Sequence, residues 1–432
     1  MAQYSTLTDQ LLPSNKTIHE VVMLSDKITA SGTAGDAFSR FRISNPFTLF
    51  DSQNRHFENS KWATSNTASS NTEYKTNESS VYLNVGTGSG NKVIRETTKV
   101  FAYQPGKSLL VLNSFVMNEQ KTNLRQRVGY FSEQNGVYFE NDGTGNYFVL
   151  RSFVSGSVVN TRVAQANWNG DKFNGTGYSA QNSGIEYQNG INITKGNILW
   201  MDIEWLGVGD VRCGFVVDGK FVIAHTFHND NVSTAAYMTT ACLPLRYEIE
   251  NTGVTQSAST LKQICSSVIS EGGYELYGRP RTVGLQPTPG VSLATAGTYY
   301  PLLSIRLNPD YPDSIVVPKH LDILPISASN YRYKIIQNAT LTGATWANVS
   351  SDSTVQYDSN TLTIISGGVD LHSAYITSTN QAKGTVSFAD SIFRFQLERN
   401  RLANTTTPLT IAITSSTNSC NCAGSLSWEE VV

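Results

Sequence analysis

Between Asn197 and Phe227 the chain reads NILWMDIEWLGVGDVRCGFVVDGKFVIAHTF, and no other stretch alternates so regularly. Leu199, Met201, Ile203 and Trp205 share one side of an extended chain, while Asp202 and Glu204 share the other with Trp200. After Gly207-Val208-Gly209-Asp210, the odd positions Val211, Cys213, Phe215 and Val217 are again apolar. Asp218-Gly219 is a tight-turn dipeptide, beyond which Phe221, Ile223, His225 and Phe227 continue the pattern. Period-two alternation broken by Gly/Asp turns is what half-buried antiparallel strands require. The stretch predicts a three-stranded meander with one face in a core and one outside.

Composition extends that expectation to the rest of the chain. Charged residues make up 15% of the 432 residues, against roughly 25% in ordinary soluble proteins. Gly, Ser, Thr and Asn are abundant instead, which suits many strands joined by turns. The length fits about three domains, or two large β-sandwiches. A formal charge of -2 lacks the basic footprint of a nucleic-acid binder. MAQYSTLTDQLL has no signal-peptide pattern, and no apolar run approaches the roughly 18 residues of a membrane helix. The expectation is a protein made in a cytoplasm, with no membrane insertion and no nucleic-acid partner.

Residues 1–45 read as an extended N-terminal arm. Within Ala37 to Asp51 (AFSRFRISNPFTLFD), Phe38 and Phe41 interleave with Arg40 and Arg42, a pattern that suits docking and assembly. Residues 46–273 are β-rich almost throughout and predict a jelly-roll β-sandwich. Residues 274–298 are dense in Pro and Gly and read as a linker. Strands reappear over 299–432, including Thr361 to Ile365 and Ile392 to Glu398, and predict a smaller β-sandwich ending in an exposed tail around Trp428. The long loop from Asn167 to Gly190 displays Trp168, Phe173, Tyr178 and Tyr187, and a loop of that length points to a function or a contact. Heptads and fixed-period repeats are absent from the sequence, so no fibre shaft is encoded.

Few residues suggest chemistry. Cys213 falls on the apolar side of the meander and reads as a small buried hydrophobe. Cys420 and Cys422, near the C-terminus, read as free thiols or as an interchain disulfide at an assembly contact. His225 and His228 point to opposite faces, which disfavours a shared metal. Asp230 lies in a turn where calcium is a minor alternative, and no metal or cofactor is expected. Gly86-Thr87-Gly88-Ser89-Gly90 has no following Lys-Ser/Thr and reads as a β-turn loop rather than a phosphate loop. No Gly-x-Ser-x-Gly elbow is present.

Trp200-Met201-Asp202-Ile203-Glu204 resembles the Glu-x-Asp-x-Glu strand of laminarinase- and lichenase-type glycoside hydrolases, which are built on a concanavalin-like jelly roll. That resemblance would make Asp202 the helper carboxylate and Glu204 the acid/base of a retaining pair. Trp200 occupies the nucleophile position, so catalysis is not expected and no catalytic residue is assigned. Asp202 and Glu204 then read as a solvated outer face or, with Trp200, Trp168 and Tyr178, as the rim of a glycan groove.

More broadly, Ala37 to Asp51, the IEWLGVG and FVVDGKFV segments of the meander, Met238 to Asn251 (MTTACLPLRYEIEN) and Pro301 to Leu307 resemble virion structural proteins of tailed bacteriophages, particularly those of cyanobacteria and other marine bacteria. The resemblance implies an all-β, non-enzymatic particle component on the tail, baseplate, neck or capsid surface. It further implies a homo-oligomer, a trimer or ring, partnered by other virion proteins. A receptor-binding adhesin for host glycan is the alternative, and a polysaccharide hydrolase comes third.

Overall fold

In the computed structural model the meander is three antiparallel strands, Asn197–Ile203, Val211–Val217 and Lys220–Phe227. Met201 lies opposite Cys213, and Cys213 opposite His225. Leu199, Met201, Ile203, Val211, Cys213, Phe215 and Val217 all face the core, as the alternation requires. The third strand departs from the expected parity. Gly214 pairs with Ile223 while Cys213 pairs with His225, so Ala224 is an inserted bulge residue. A one-residue bulge exchanges inside for outside. Phe221 and Ile223, expected in the core, are therefore exposed, and Val222 and Ala224 are buried in their place.

The structure describes residues 44–431 except 68, 183–186, 276, 361–365, 379–383 and 388–395. Residues 1–43 of the arm expected at 1–45, with Phe38, Arg40, Phe41 and Arg42, lie outside the described residues. So do the strand expected at Thr361 to Ile365 and most of that expected at Ile392 to Glu398.

The meander forms one edge of an eight-stranded sheet, here the meander sheet. Asn197–Ile203 pairs with Leu109–Val116, which pairs with Ser259–Ser270, and that long strand pairs with Ser80–Val85 and Phe47–Gln53. The facing sheet has seven strands in the order Val159–Ala164, Asn146–Ser152, Gly136–Asn141, Leu124–Phe131, Leu245–Asn251, Lys92–Thr97, Trp62–Asn66. It is here the ion-pair sheet. Every neighbouring pair is antiparallel. Together the two sheets make the predicted jelly-roll sandwich. Between them Phe215 meets Phe139, Phe148 and Phe173 with ring centroids 5.3, 5.9 and 5.2 Å away.

The loop aromatics close one end of this core instead of facing outward. Trp168 is 1% exposed and stacks on Phe148 at 4.7 Å, while Phe173 is wholly buried. Of the loop residues proposed for glycan contact, Tyr178 alone keeps substantial exposure, in a short helical turn at Tyr178–Asn182 beside Lys220.

A second sandwich follows, with sheets of five and six strands. Two expectations fail here for one reason. The Pro/Gly-rich stretch contains the strands Arg279–Gly284 and Val291–Leu293, and both pair with Cys420–Val431. What reads as an exposed tail is that twelve-residue strand, paired on its other side with Ile315–Pro325. Trp428 is buried and donates its indole N–H to Glu430 at 2.9 Å. Cys420 and Cys422 are free and buried, two residues apart on one face of the strand. Burial pushes the Cys422 thiol up to about 12. None of the three offers a surface for assembly, and an interchain disulfide would require this strand to leave its core.

The two sandwiches are fastened together. Val100, Ala102, Ile315 and Val317 form a small apolar cluster across the junction. Beside it Arg399 reaches Glu96 at 3.2 Å, the carbonyl of Thr97 at 2.9 Å and Asp313 at 3.0 Å. Glu398 accepts from Lys61 at 2.6 Å and from Thr98 at 3.1 Å, with Lys99 at 3.7 Å. Burial lowers the Lys99 ammonium to about 8 against the pull of Glu398. Main-chain bonding continues across the joint, from the Arg399 amide to the Thr98 carbonyl at 3.0 Å.

Candidate functional site

The carboxylates singled out in the meander border a cleft of about 610 Å³ on the outer face of the meander sheet. Cross-strand register builds it in two rows. Asp202, Arg212 and Thr226 are opposite one another on successive strands, and Glu204, Asp210 and His228 lie one step further along. Tyr103, Lys107 and Ser108 close the far side.

Within the cleft, Asp202 is buried and takes the Arg212 guanidinium on Oδ2, while its Oδ1 has no hydrogen-bond partner. Asp210 accepts the Asn229 amide at 3.0 Å and faces His228 Nδ1 at 2.7 Å. Burial opposes ionisation of Asp210, but those bonds hold its carboxyl below the usual range. His225, one strand position away, has its imidazole pushed down to about 4 by burial.

Trp200 cannot serve as a sugar platform. It is 3% exposed, its indole donates to the Phe215 carbonyl at 3.2 Å, and Phe221 packs on it at 5.3 Å. Gly214 makes this possible: a Cβ there would sit 1.9 Å from the Val222 carbonyl oxygen and 3.0 Å from the Trp200 indole nitrogen. The structure thus brings Asp202 and Glu204 to one cleft, but turns Trp200 and Trp168 into packing residues and leaves Tyr178 elsewhere.

Among the described residues, Asp210, His228 and Asp230 each bring a potential metal ligand within 4.8 Å of the others. The bond between His228 and Asp210 accounts for that pair without a cation.

A second recess lies on the outer face of the ion-pair sheet. It is a groove of about 280 Å³ lined by Arg125, Arg127, Tyr138, Glu140, Asp142, Asn160, Arg162 and Thr252. Its floor is a lattice of charges in cross-strand register. Arg127 stands between Glu140 and Glu248 on adjacent strands and bonds to them at 2.6 and 3.1 Å. Arg162 joins Glu140 at 2.7 Å to Asp142 at 2.5 Å. Arg125 meets Glu250 at 2.6 Å, and Arg246 meets Glu248 at 2.9 Å and Glu96 at 3.3 Å. Burial disfavours the Glu248 carboxylate, yet Arg246, Arg127 and Lys92 together hold its carboxyl far below the usual range. Arg151 is driven the other way by burial, its guanidinium lowered, and lies over Tyr138 at 5.1 Å.

Sequence reading missed this lattice although its signal is present. Arg125-x-Arg127, Tyr138-x-Glu140-x-Asp142 and Arg246-x-Glu248-x-Glu250 alternate with core residues on three neighbouring strands. The strand order that makes them partners is not written in any one of them.

Neither a known family's sequence profile nor a curated protein matches the chain. Solved structures similar to it include the conserved carbohydrate esterase of Shiga toxin-encoding bacteriophage phi24B, at 11% identity over 52% of this chain and 100% of that one, with a TM-score of 0.31. A second is the CBM2 module of the evolved Dit of Lactobacillus casei BL23 phage J-1, at 5% identity over 54% and 99%, with a TM-score of 0.35. A third is arcelin-5, a lectin-like defense protein of Phaseolus vulgaris, at 8% identity over 53% and 99%, with a TM-score of 0.32. Likenesses this remote carry no functional weight, and the sandwich rests on its own strand pairing.

Proposed function

We propose that this chain is a non-enzymatic structural protein of a tailed-phage particle, working as a stiff oligomeric connector on the tail, baseplate, neck or capsid surface. The observation that carries this reading is the joint between the sandwiches. Arg399 and Glu96 are both buried there, with Glu398 held by Lys61 and Thr98 alongside. Interdomain contacts within a chain are by default mobile. A joint built from buried charges, an apolar cluster and main-chain bonds transmits force instead. The sequence resemblance to virion structural proteins agrees with it. Asp202 locked to Arg212 and Trp200 filling the position of a nucleophile support a role without hydrolysis, and no helix among the described residues is long and apolar enough to cross a membrane.

The test is the composition of purified particles. The chain should co-purify at fixed stoichiometry, and a variant lacking residues 1–45 should stay folded yet fail to be incorporated. Absence of the full chain from particles would overturn the proposal.

A second reading, a receptor-binding adhesin, is favoured by the polar recesses on the two outer faces of the jelly roll. It requires the purified chain to bind members of a glycan panel.

A further inference from the structure

We infer that the groove on the ion-pair sheet, rather than the cleft beside the meander, is a sugar subsite, and that it takes one neutral pyranose residue of a glycan. This rests on the adhesin reading and specifies its site and ligand class.

Pre-organisation is the first argument. The groove's side chains rise from strands of one sheet and are held by bonds to one another: Arg127 by Glu140 and Glu248, Arg162 by Glu140 and Asp142, and Asn160 by Arg151 at 2.9 Å. Ligand groups meeting such a surface find donors and acceptors already in place, so little ordering entropy is lost on binding. The cleft on the other face is bordered instead by the turn around Leu206 and the segment at Gly106 to Ser108.

Charge balance selects the ligand. Arg125, Arg127 and Arg162 line the groove with Glu140 and Asp142, and Glu248 and Glu250 lie directly behind. An anionic sugar would compete with these carboxylates for every guanidinium, and a cationic one would face the arginines. A sugar hydroxyl both donates and accepts, so alternating guanidinium and carboxylate groups on neighbouring strands match a row of hydroxyls without disturbing either charge.

The aromatic rings explain what kind of binding to expect. Tyr147 is covered by Arg162 at 4.0 Å, and Tyr138 has Arg127 at 5.5 Å and Arg151 at 5.1 Å over its ring. With these rings occupied by cations, recognition proceeds through hydroxyl hydrogen bonds rather than stacking. Single-site affinity is then weak, and a particle carrying many copies gains its attachment from avidity.

The experiment uses the purified full chain and saturation-transfer NMR with methyl glycosides of glucose, galactose and mannose beside the corresponding uronic acids. Thr252→Trp fills the groove from an exposed residue and removes no ion pair, and Arg125→Ala leaves Glu250 with Lys92. Both should weaken binding of the neutral glycosides at least about tenfold, while Glu204→Ala in the cleft leaves it unchanged. Unaltered binding in both groove variants overturns the groove assignment and leaves the adhesin reading standing. Preference for uronic acids overturns the ligand class. Binding of no glycoside or uronic acid overturns the subsite, and silence from the glycan panel as well overturns the adhesin reading with it.

Discussion

The two outer faces of the jelly roll use polar residues in opposite ways. On the meander sheet charges occur as isolated pairs, Asp202 with Arg212 and Asp210 with His228, around an open cleft. Beside them Phe221 and Ile223 remain exposed and Trp200 lies flat against the strands. On the ion-pair sheet Arg127, Arg162 and Arg246 each meet two carboxylates, and Arg127, Glu140, Arg246 and Glu248 are buried although they point away from the core. Outward alternation therefore has two outcomes. Where a cation meets two carboxylates at once, a face is tied into a lattice; where charges pair singly, it stays open.

The largest effect that separates the faces should come from deleting one cation on each. Arg127→Met removes the cation that Glu140 and Glu248 share and leaves them to Arg162 and Arg246 with an unbalanced charge in a desolvated position, which costs about 3–5 kcal/mol for a broken buried pair. Arg212→Met removes a half-exposed partner from Asp202 and should cost about 1–2 kcal/mol. Urea unfolding of both variants checks the difference, and equal losses would break the distinction between lattice and isolated pair.

Glycines sharpen the comparison at the next level. Each face has one that lets an aromatic ring lie down: Gly214 beneath Trp200, and Gly129 beside Tyr138, where a Cβ would come 2.5 Å from the Val137 carbonyl oxygen and 2.6 Å from the Tyr138 Cα. Neither contact can be relieved by a side-chain rotation alone. Substitution by Ala should cost about 1–3 kcal/mol at either position. Gly214→Ala should be the worse of the two, because its Cβ would meet the Val222 carbonyl oxygen at 1.9 Å, closer than any contact at Gly129. Thermal unfolding of the pair tests the order.

Much of the fold was legible, because a half-buried strand must alternate and a turn must carry Gly or Asp. The meander's first two strands sit as the sequence predicts, and the third shows the limit. The bulge at Ala224 depends on pairing with Cys213 and Gly214 and changes nothing in the local pattern. Pro/Gly content misled between 274 and 298 because Pro280 lies in a short strand paired to the last one, where composition gives no hint of a partner. The site was less legible than the fold. Asp202 and Glu204 were found because they are two residues apart in one stretch, whereas the groove is assembled from residues of four segments, Arg125 to Thr252, joined only by sheet order. Trp168 and Trp200 looked available because sequence reports a residue's size and not its cover.

The smallest predicted effect concerns acid. Asp210 and Glu248 both have carboxyls lowered in the folded state, so each stabilises above its unfolded-state pKa, near 4, and loses that contribution as pH falls through the folded value. Their surroundings set different sizes. Asp210 is partly exposed and its His228 partner mostly so, which limits the pair to about 0.5 kcal/mol. Glu248 is buried among three cations, and its share persists to lower pH before it is lost. His228→Ala should therefore leave the decline in urea midpoint between pH 5 and pH 2 almost unchanged, while Glu248→Gln flattens it from an already lowered starting value. If His228→Ala flattened the curve as much, the acid sensitivity would belong to the open face, and the lattice would not be the element that ties this sandwich to its ionisation state.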